Sequence, residues 1–463
     1  MSAALPEPAA AAHSGDFRKV LGLRDLVFAQ VVNTVGLTWV GVAAKLGPAH
    51  VVFWLLAVTL FYLPSVLVVI YLNRLRPLEG GLYTWARLGF NDFTGFMVAW
   101  FIWLNAVVLT SEVGIQTVNM LAYTAGSRGA AFMENKWLMA AASFLAIGAI
   151  LLVATCGLGI GKWLINAGGA LTLAIFLALV VLPFRSLMLG RFREYHPFAV
   201  AMPAVSLLSL NILAKIGFGA LAGSEYIAIF AGECRDAARS IGRSVLIAAP
   251  VIALIFILGT SAVRAFVPDD KVDLVSPISQ ALTAGTRPGD PGANLIPLVI
   301  LGLLLANLAQ QSFNFTAATR LHPAYLTPTN SILFVAAVTI VLGTLSLAGA
   351  GQQEAFQLLQ SAAMTFYSFA YLVMFLLPLI GFHGVTPRSP LWLKAACISG
   401  FLMTALFVAF SVFPIIDVPN PLVFALKVSA VLITFALFGA GIFVAYQRRL
   451  RLGPQTQTRD STK

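Results

Sequence analysis

Twelve apolar stretches of roughly 20 residues, the length that carries an α-helix across a ~30 Å hydrocarbon core, follow one another along this chain. They fall near residues 26–44, 51–72, 93–122, 137–158, 163–184, 200–231, 244–266, 295–319, 331–349, 356–382, 392–413 and 421–446. A bilayer offers no water to pair backbone N–H and C=O groups, so each crossing must satisfy them internally and is therefore helical. Composition agrees, since 10% of the 463 residues are charged, against about 25% in a soluble domain. The runs leave no room for a soluble domain. The expected fold is an all-α membrane protein with twelve transmembrane helices between residues 18 and 446.

The flanks read differently. Residues 1–17 are rich in Ala and Pro, with no Leu-rich core before a cleavage site, and predict a disordered cytoplasmic tail rather than a signal peptide. Residues 447–463 are polar and basic, and predict a second cytoplasmic tail. With both ends inside, eighteen of the 29 Lys and Arg lie on the inner side, as the positive-inside rule requires of a cell-membrane protein. The net charge of +11 is spread over many short loops, so it forms no patch suited to nucleic acid. One outer loop runs against the rule, with Arg185, Arg191 and Arg193 together.

Cys156, Cys234 and Cys397 all fall at or near inner ends of spans. Their position excludes a disulfide on the oxidising side, and their spacing suits no metal. The five histidines are scattered over tails and loops. No catalytic or metal cluster forms from them, and no cofactor is expected.

Two spans are interrupted in the same way. The first carries Asn33, Thr34, Gly36 and Thr38 at mid-membrane depth, and the sixth carries Gly217, Gly219 and Gly223 between Lys215 and Glu225. Glycine in membrane helices often serves close packing alone. Here, however, spans one and six each begin a five-helix unit, and units with an odd number of crossings sit in opposite orientations. Paired breaks in inverted halves point to a transporter whose site lies at the midplane. Each break would present a half-helix N-terminus to an anion and a C-terminus to a cation. A zwitterionic amino acid matches both.

Charged residues lie deep within the spans at Glu112 in the third and at Lys215 and Glu225 around the second break. Such groups cost ~2.5–3.5 kcal/mol at the bilayer centre and usually face the interior. They are the candidate titrating groups of a proton relay, or else members of a structural ion pair such as Lys215 with either glutamate.

The loop after span two reads Pro77-Leu-Glu-Gly-Gly-Leu-Tyr83, which resembles the Pro-x-x-Gly-Gly-x-Tyr signature of the amino acid–polyamine–organocation superfamily. The run Gly223-Ser-Glu225 through Glu233, Arg239-Ser-Ile241 and Arg243 resembles that family's Gly-Phe-Glu, Glu-Glu, Asn-Pro and Arg-x-Ile-Pro sequence. The resemblance implies a 5+5 inverted repeat with discontinuous helices 1 and 6, working by alternating access. Repeat one would span about residues 20–184, repeat two about 199–382, and peripheral helices eleven and twelve about 390–446. It further implies substrate contacts at Gly36, Leu37 and Thr38 in the first break and at Phe218, Gly219, Ala220 and Gly223 in the second. Asn105 and Thr110 fall at pocket positions on helix three.

The chain departs from the family pattern at several points. The family's Gly-Ser-Gly is Gly36-Leu37-Thr38, and its gating aromatic on helix six falls at Gly219, with Phe218 or Trp39 as substitutes. Asp236-Ala237 stands for Asn-Pro, the mid-membrane lysine of helix five is missing, and the short inner-gate helix is absent between Arg320 and His322. The reading is a permease for amino acids or related amines, proton-coupled or exchanging, with sodium coupling open through Ser312, Thr316 or Thr319. The alternative is a membrane sensor that binds without transporting. An enzyme would need a clustered set of catalytic side chains at one membrane face. With no outer cysteine, no disulfide-linked accessory subunit is expected.

Overall fold

The computed structural model describes residues 22–75, 81–155, 158–192, 194–225, 237–320, 328–346, 351–381 and 389–452. The N-terminal tail, residues 453–463, the Pro77–Gly80 half of the signature, the run from Glu233 to Asp236 and the stretch from His322 into the next helix lie outside them. All regular structure among the described residues is helical, and each of the twelve apolar runs overlaps a helix. Among the described residues, seven stretches are long and apolar enough to cross a membrane on their own: Gly47–Leu75, Asp92–Thr124, Ala167–Met188, Gly242–Phe266, Gln352–Ile380, Leu391–Phe410 and Pro421–Arg449.

The first run is two helices, α1 (Leu23–Thr34) and α2 (Trp39–Ala44), separated by four residues that belong to neither. The second is α3 (His50–Ala57), a π turn (Val58–Tyr62) and α4 (Leu63–Leu75). The signature loop contributes α5 (Leu82–Gly89), a helix that sequence pattern alone reads as loop. The third run splits at Glu112 into α6 (Asp92–Ser111) and α7 (Val113–Thr124), and α8 (Gly129–Glu134) follows. Asn91 starts α6, its side chain accepting from the Thr94 N–H at 2.8 Å, which satisfies one of the orphan donors of a helix start. Next come α9 (Lys136–Thr155) and α10 (Leu158–Met188).

The sixth run opens on a Ser206–Ser209 capping box, forms α11 (Leu207–Ala214), relaxes into a π turn at Lys215–Gly219 and then leaves helical geometry. Gly223 has φ +113°, a conformation that residues with a Cβ rarely adopt. The remainder is α12 (Ala237–Phe266), α13 (Pro277–Ala284), α14 (Ile296–Arg320), α15 (Pro328–Ser346), α16 (Gln352–Ile380), α17 (Leu391–Phe410) and α18 (Pro421–Leu452). The last helix continues past the expected boundary at residue 446, and Arg448 and Arg449 lie near its C-terminal end, where a cation suits the helix dipole.

Packing places α16 at the centre, against α5, α6 and α17, while α12 covers both pieces of the first run. The short α13 rests on α2 and α7; Gly41 makes room for it, since a Cβ there would stand 2.7 Å from Pro277 Cβ. In contrast, α18 lies at the periphery, with 11% of its apolar span buried, as a lipid-facing helix requires.

The arginine-rich loop after α10 has a structural explanation. Arg191 forms a two-pronged pair with the Asp290 carboxylate, and Arg185 donates to the Pro291 carbonyl at 3.0 Å. These cations clamp the loop before α14, so their positions answer to a local partner rather than to the orientation rule. The Arg191 pair holds the Asp290 carboxyl down at about 2, helped by the Arg287 backbone N–H.

Candidate functional site

The residues between α1 and α2 and those after the π turn of α11 meet across one side chain. Trp39, at the start of α2, lies against Gly36 and against Gly219: a Cβ on Gly36 would be 2.6 Å from Trp39 Cδ1, and one on Gly219 would be 2.7 Å from Trp39 Cζ2. Both glycines are therefore required by the indole as much as by the backbone. The two breaks form one locus.

A single helix supports that locus from the side. Gln360 of α16 donates to Thr38 Oγ1 at 3.2 Å in the first break. Two turns further on, Tyr367 and Tyr371 donate one hydroxyl to each oxygen of the Glu225 carboxylate. The Tyr371 hydroxyl also accepts the Gly223 N–H at 2.7 Å. Every polar atom in this trio is buried, and a buried polar group left unpaired costs several kcal/mol in apolar surroundings. The tyrosines therefore fix the position of the unwound strand. Glu225 is held by hydroxyls and not by Lys215.

Phe218 is fully buried. It packs edge-on to Tyr371 with ring centres 5.2 Å apart, edge-on to Phe61 at 5.3 Å, and tilted on Phe407 at 4.9 Å. Edge-to-face pairs of this kind add directional packing energy to burial. Ala220 is buried beside it, while Gly36 and Leu37 stay partly exposed. Lys215, also buried, turns towards the far end of α17 and donates to the Phe413 carbonyl at 2.8 Å, which Asn211 shares at 3.2 Å. Among the described residues Lys215 forms no ion pair.

The helix-three candidates lie on α6, and a second polar group follows them on α7. Thr110 bonds its own helix, donating to the Ala106 carbonyl at 2.8 Å. Asn105 is buried with its carbonyl oxygen unpaired, one turn beyond Phe101, which stacks on Phe366 of α16. Glu112 interrupts the helix and accepts from Gln116 at 2.9 Å; Gln116 in turn accepts from Asn307 of α14 at 2.5 Å. Further along α7, Tyr123 donates to Asp273 at 2.9 Å, before α13. Burial pushes the Asp273 carboxyl up, against the hydrogen bonds it accepts from Val275 N–H, Tyr123 and Asn119. The side chains of Ser312, Thr316 and Thr319 lie outside the described ones.

Gln360, Tyr367 and Tyr371 were accessible to sequence reading only as a pattern: polar groups at i, i+7 and i+11 share one face of an otherwise apolar helix. Glu112, Gln116, Asn119 and Tyr123 repeat that pattern at i, i+4, i+7 and i+11.

Residues 21–445 match the family model described as "Amino acid permease". Among curated proteins, the chain is 24% identical over 254 residues to a probable agmatine/putrescine antiporter, AguD, of Lactococcus lactis, covering 54% of this chain and 53% of that one. It is 26% identical over 271 residues to an uncharacterised transporter of Legionella pneumophila, covering 57% and 56%. These two matches span about half the length of each relative. An uncharacterised transporter of Mycobacterium tuberculosis is 25% identical over 359 residues, covering 71% and 74%. Among solved structures, MhsT in complex with L-phenylalanine superposes with a TM-score of 0.57 at 16% identity, covering 86% of this chain and 99% of that one; that likeness shows the fold. With the family model matched over residues 21–445 of the 463, this chain belongs to the amino acid permease family of the amino acid–polyamine–organocation superfamily, a family of multi-pass membrane transporters.

Proposed function

We propose that this chain is a secondary active permease that carries amino acids or related amines by alternating access, by exchange or with protons, with both termini cytoplasmic in the cell membrane. The observation that supports the reading is the meeting of the two unwound segments at Trp39, with α16 bonded to both. Unwound backbone at that depth leaves amides and carbonyls for a ligand's carboxylate and ammonium. The substrate contacts are Gly36, Leu37 and Thr38 on one side and Phe218, Gly219, Ala220 and Gly223 on the other, with Asn105 and Thr110 nearby on helix three. Glu112, Lys215 and Glu225 are the coupling candidates. Glu225 lies closest in sequence to a break and sits on tyrosine hydroxyls that can exchange partners as the unwound strand moves.

The relative named as an agmatine/putrescine antiporter supports including amines and exchange. The test is uptake of a labelled amino-acid and polyamine panel into proteoliposomes, with and without an inward proton gradient. Gradient-stimulated accumulation supports proton coupling. Exchange without accumulation assigns antiport and removes the proton from the cycle. Ligand-induced thermal stabilisation with no flux overturns transport in favour of sensing.

A further inference from the structure

Where α4 and α12 pack together, a cavity of about 530 Å³ opens between Ile70 and Arg74 on one helix and Gly242, Arg243 and Leu246 on the other. Arg74 closes the candidate span Gly47–Leu75, and Arg243 opens the candidate span Gly242–Phe266. The two guanidiniums therefore stand at one and the same face of the membrane, at headgroup depth. Both are exposed, and among the described residues neither makes an ion pair. Gly242 keeps the cavity open, because a Cβ there would already stand 3.3 Å from Ile70 Cδ1.

Below the arginines the surface turns apolar. Leu246, Val251 and Leu254 are 50%, 40% and 47% exposed on α12, and their spacing aligns them with Arg243 along one stripe running into the hydrocarbon region. Two guanidiniums above an apolar stripe form a chemical match to a phosphate esterified to acyl chains. Guanidinium binds phosphate oxygens in paired, charge-assisted hydrogen bonds, and basic pockets between transmembrane helices bind anionic headgroups. We propose that this cavity binds the phosphate of an anionic phospholipid, with Arg74 and Arg243 as its ligands and the α12 stripe seating an acyl chain. The site is separate from the helix breaks and does not rest on the transport reading.

The experiment is native mass spectrometry of the purified full-length protein titrated with phosphatidylglycerol or phosphatidylcholine in mixed micelles. The expected result is one phosphatidylglycerol retained at an energy that strips phosphatidylcholine. The R74Q/R243Q double variant should bind it roughly tenfold or more weakly, on the order of two lost surface charge contacts. The control R128Q, which removes an exposed arginine elsewhere, should bind as wild type does. G242L, which fills the cavity and keeps both charges, should also lose the bound lipid, and covers the case in which the double variant misfolds. Equal retention of phosphatidylglycerol by wild type and G242L, or by wild type and a folded double variant, would overturn the assignment. So would thermal stabilisation by inorganic phosphate equal to that by phosphatidylglycerol, which would make the site one for free anions.

Discussion

Trp39 and Gly219 lie 180 residues apart in the sequence, and no side chain fits between them: a Cβ on Gly219 would lie 2.7 Å from Cζ2 and 2.9 Å from Cζ3 of the indole. One aromatic ring thereby sets the distance between the two unwound segments. Any movement of one break relative to the other must slide glycine backbone over that ring.

Gly219→Ala should therefore act as overpacking in a closed site. The expected loss is about 1–3 kcal/mol of stability, since neither the ring nor the π turn can yield freely. Thermal unfolding in detergent measures it. Trp39→Phe in the same chain should recover part of the loss, because the smaller ring vacates the position of Cζ2, and the double-mutant cycle reports that coupling directly. Strict additivity would show that the two residues do not constrain each other.

Tyr371→Phe removes the hydroxyl that joins Glu225 to the Gly223 N–H. The expected cost is about 1–3 kcal/mol for buried groups deprived of a partner. Transport rate should fall more steeply than the amount of folded protein. A folded Tyr371→Phe protein with wild-type transport would show that the second break does not depend on this anchor.

Glu112→Gln keeps the hydrogen bond from Gln116 and removes the titratable group. Uptake should lose its dependence on external pH, while counterflow exchange continues. Unchanged pH dependence would eliminate Glu112 as the coupling residue. Asn307→Ala, which takes the donor from Gln116, should destabilise by about 1–3 kcal/mol.

Asp290→Asn addresses the clamp made by Arg191. The Asp290 carboxyl is held at about 2, below its ordinary 3.8, first by its hydrogen bond from Arg191 and then by the Arg287 N–H. A depressed carboxyl stabilises the folded chain fully above pH ~4 and loses that contribution as pH falls through ~2. The melting temperature of Asp290→Asn should therefore lie below wild type at neutral pH. The gap should close as pH falls from 4 towards 2. A constant gap over that range would show that the charge of Asp290 plays no part.

The legible parts of this molecule are those governed by period and length. Each of the twelve apolar runs overlaps a helix, because lipid leaves a backbone no other choice, although the starts of the sixth and seventh helices and the end of the last differ from the runs by six or seven residues. Both breaks were visible as polar and glycine residues within apolar runs, and Glu112 and Glu225 stood out because charge is rare at that depth. What the pattern could not supply was pairing between distant residues. Lys215 and Glu225, ten positions apart and opposite in sign, invite an ion pair; instead the lysine reaches the Phe413 carbonyl and the glutamate reaches two tyrosines. Tyrosine in an apolar helix reads as core until its partner is known. Residues 267–297 show no apolar period, yet they contain α13, which rests on α2 through Gly41 and Pro277. The arginines after α10 likewise made sense only once Asp290 was found opposite Arg191.

In the proposed cycle the paired breaks carry a substrate across the membrane. Counterflow tests it most directly: proteoliposomes preloaded with an unlabelled amino acid or polyamine are diluted into the labelled compound, without any ion gradient. Saturable, transient accumulation of label is expected for at least one member of the panel, driven only by the outward gradient of unlabelled substrate. Absence of accumulation for every member, with protein that is folded and thermally stabilised by one of them, would contradict it.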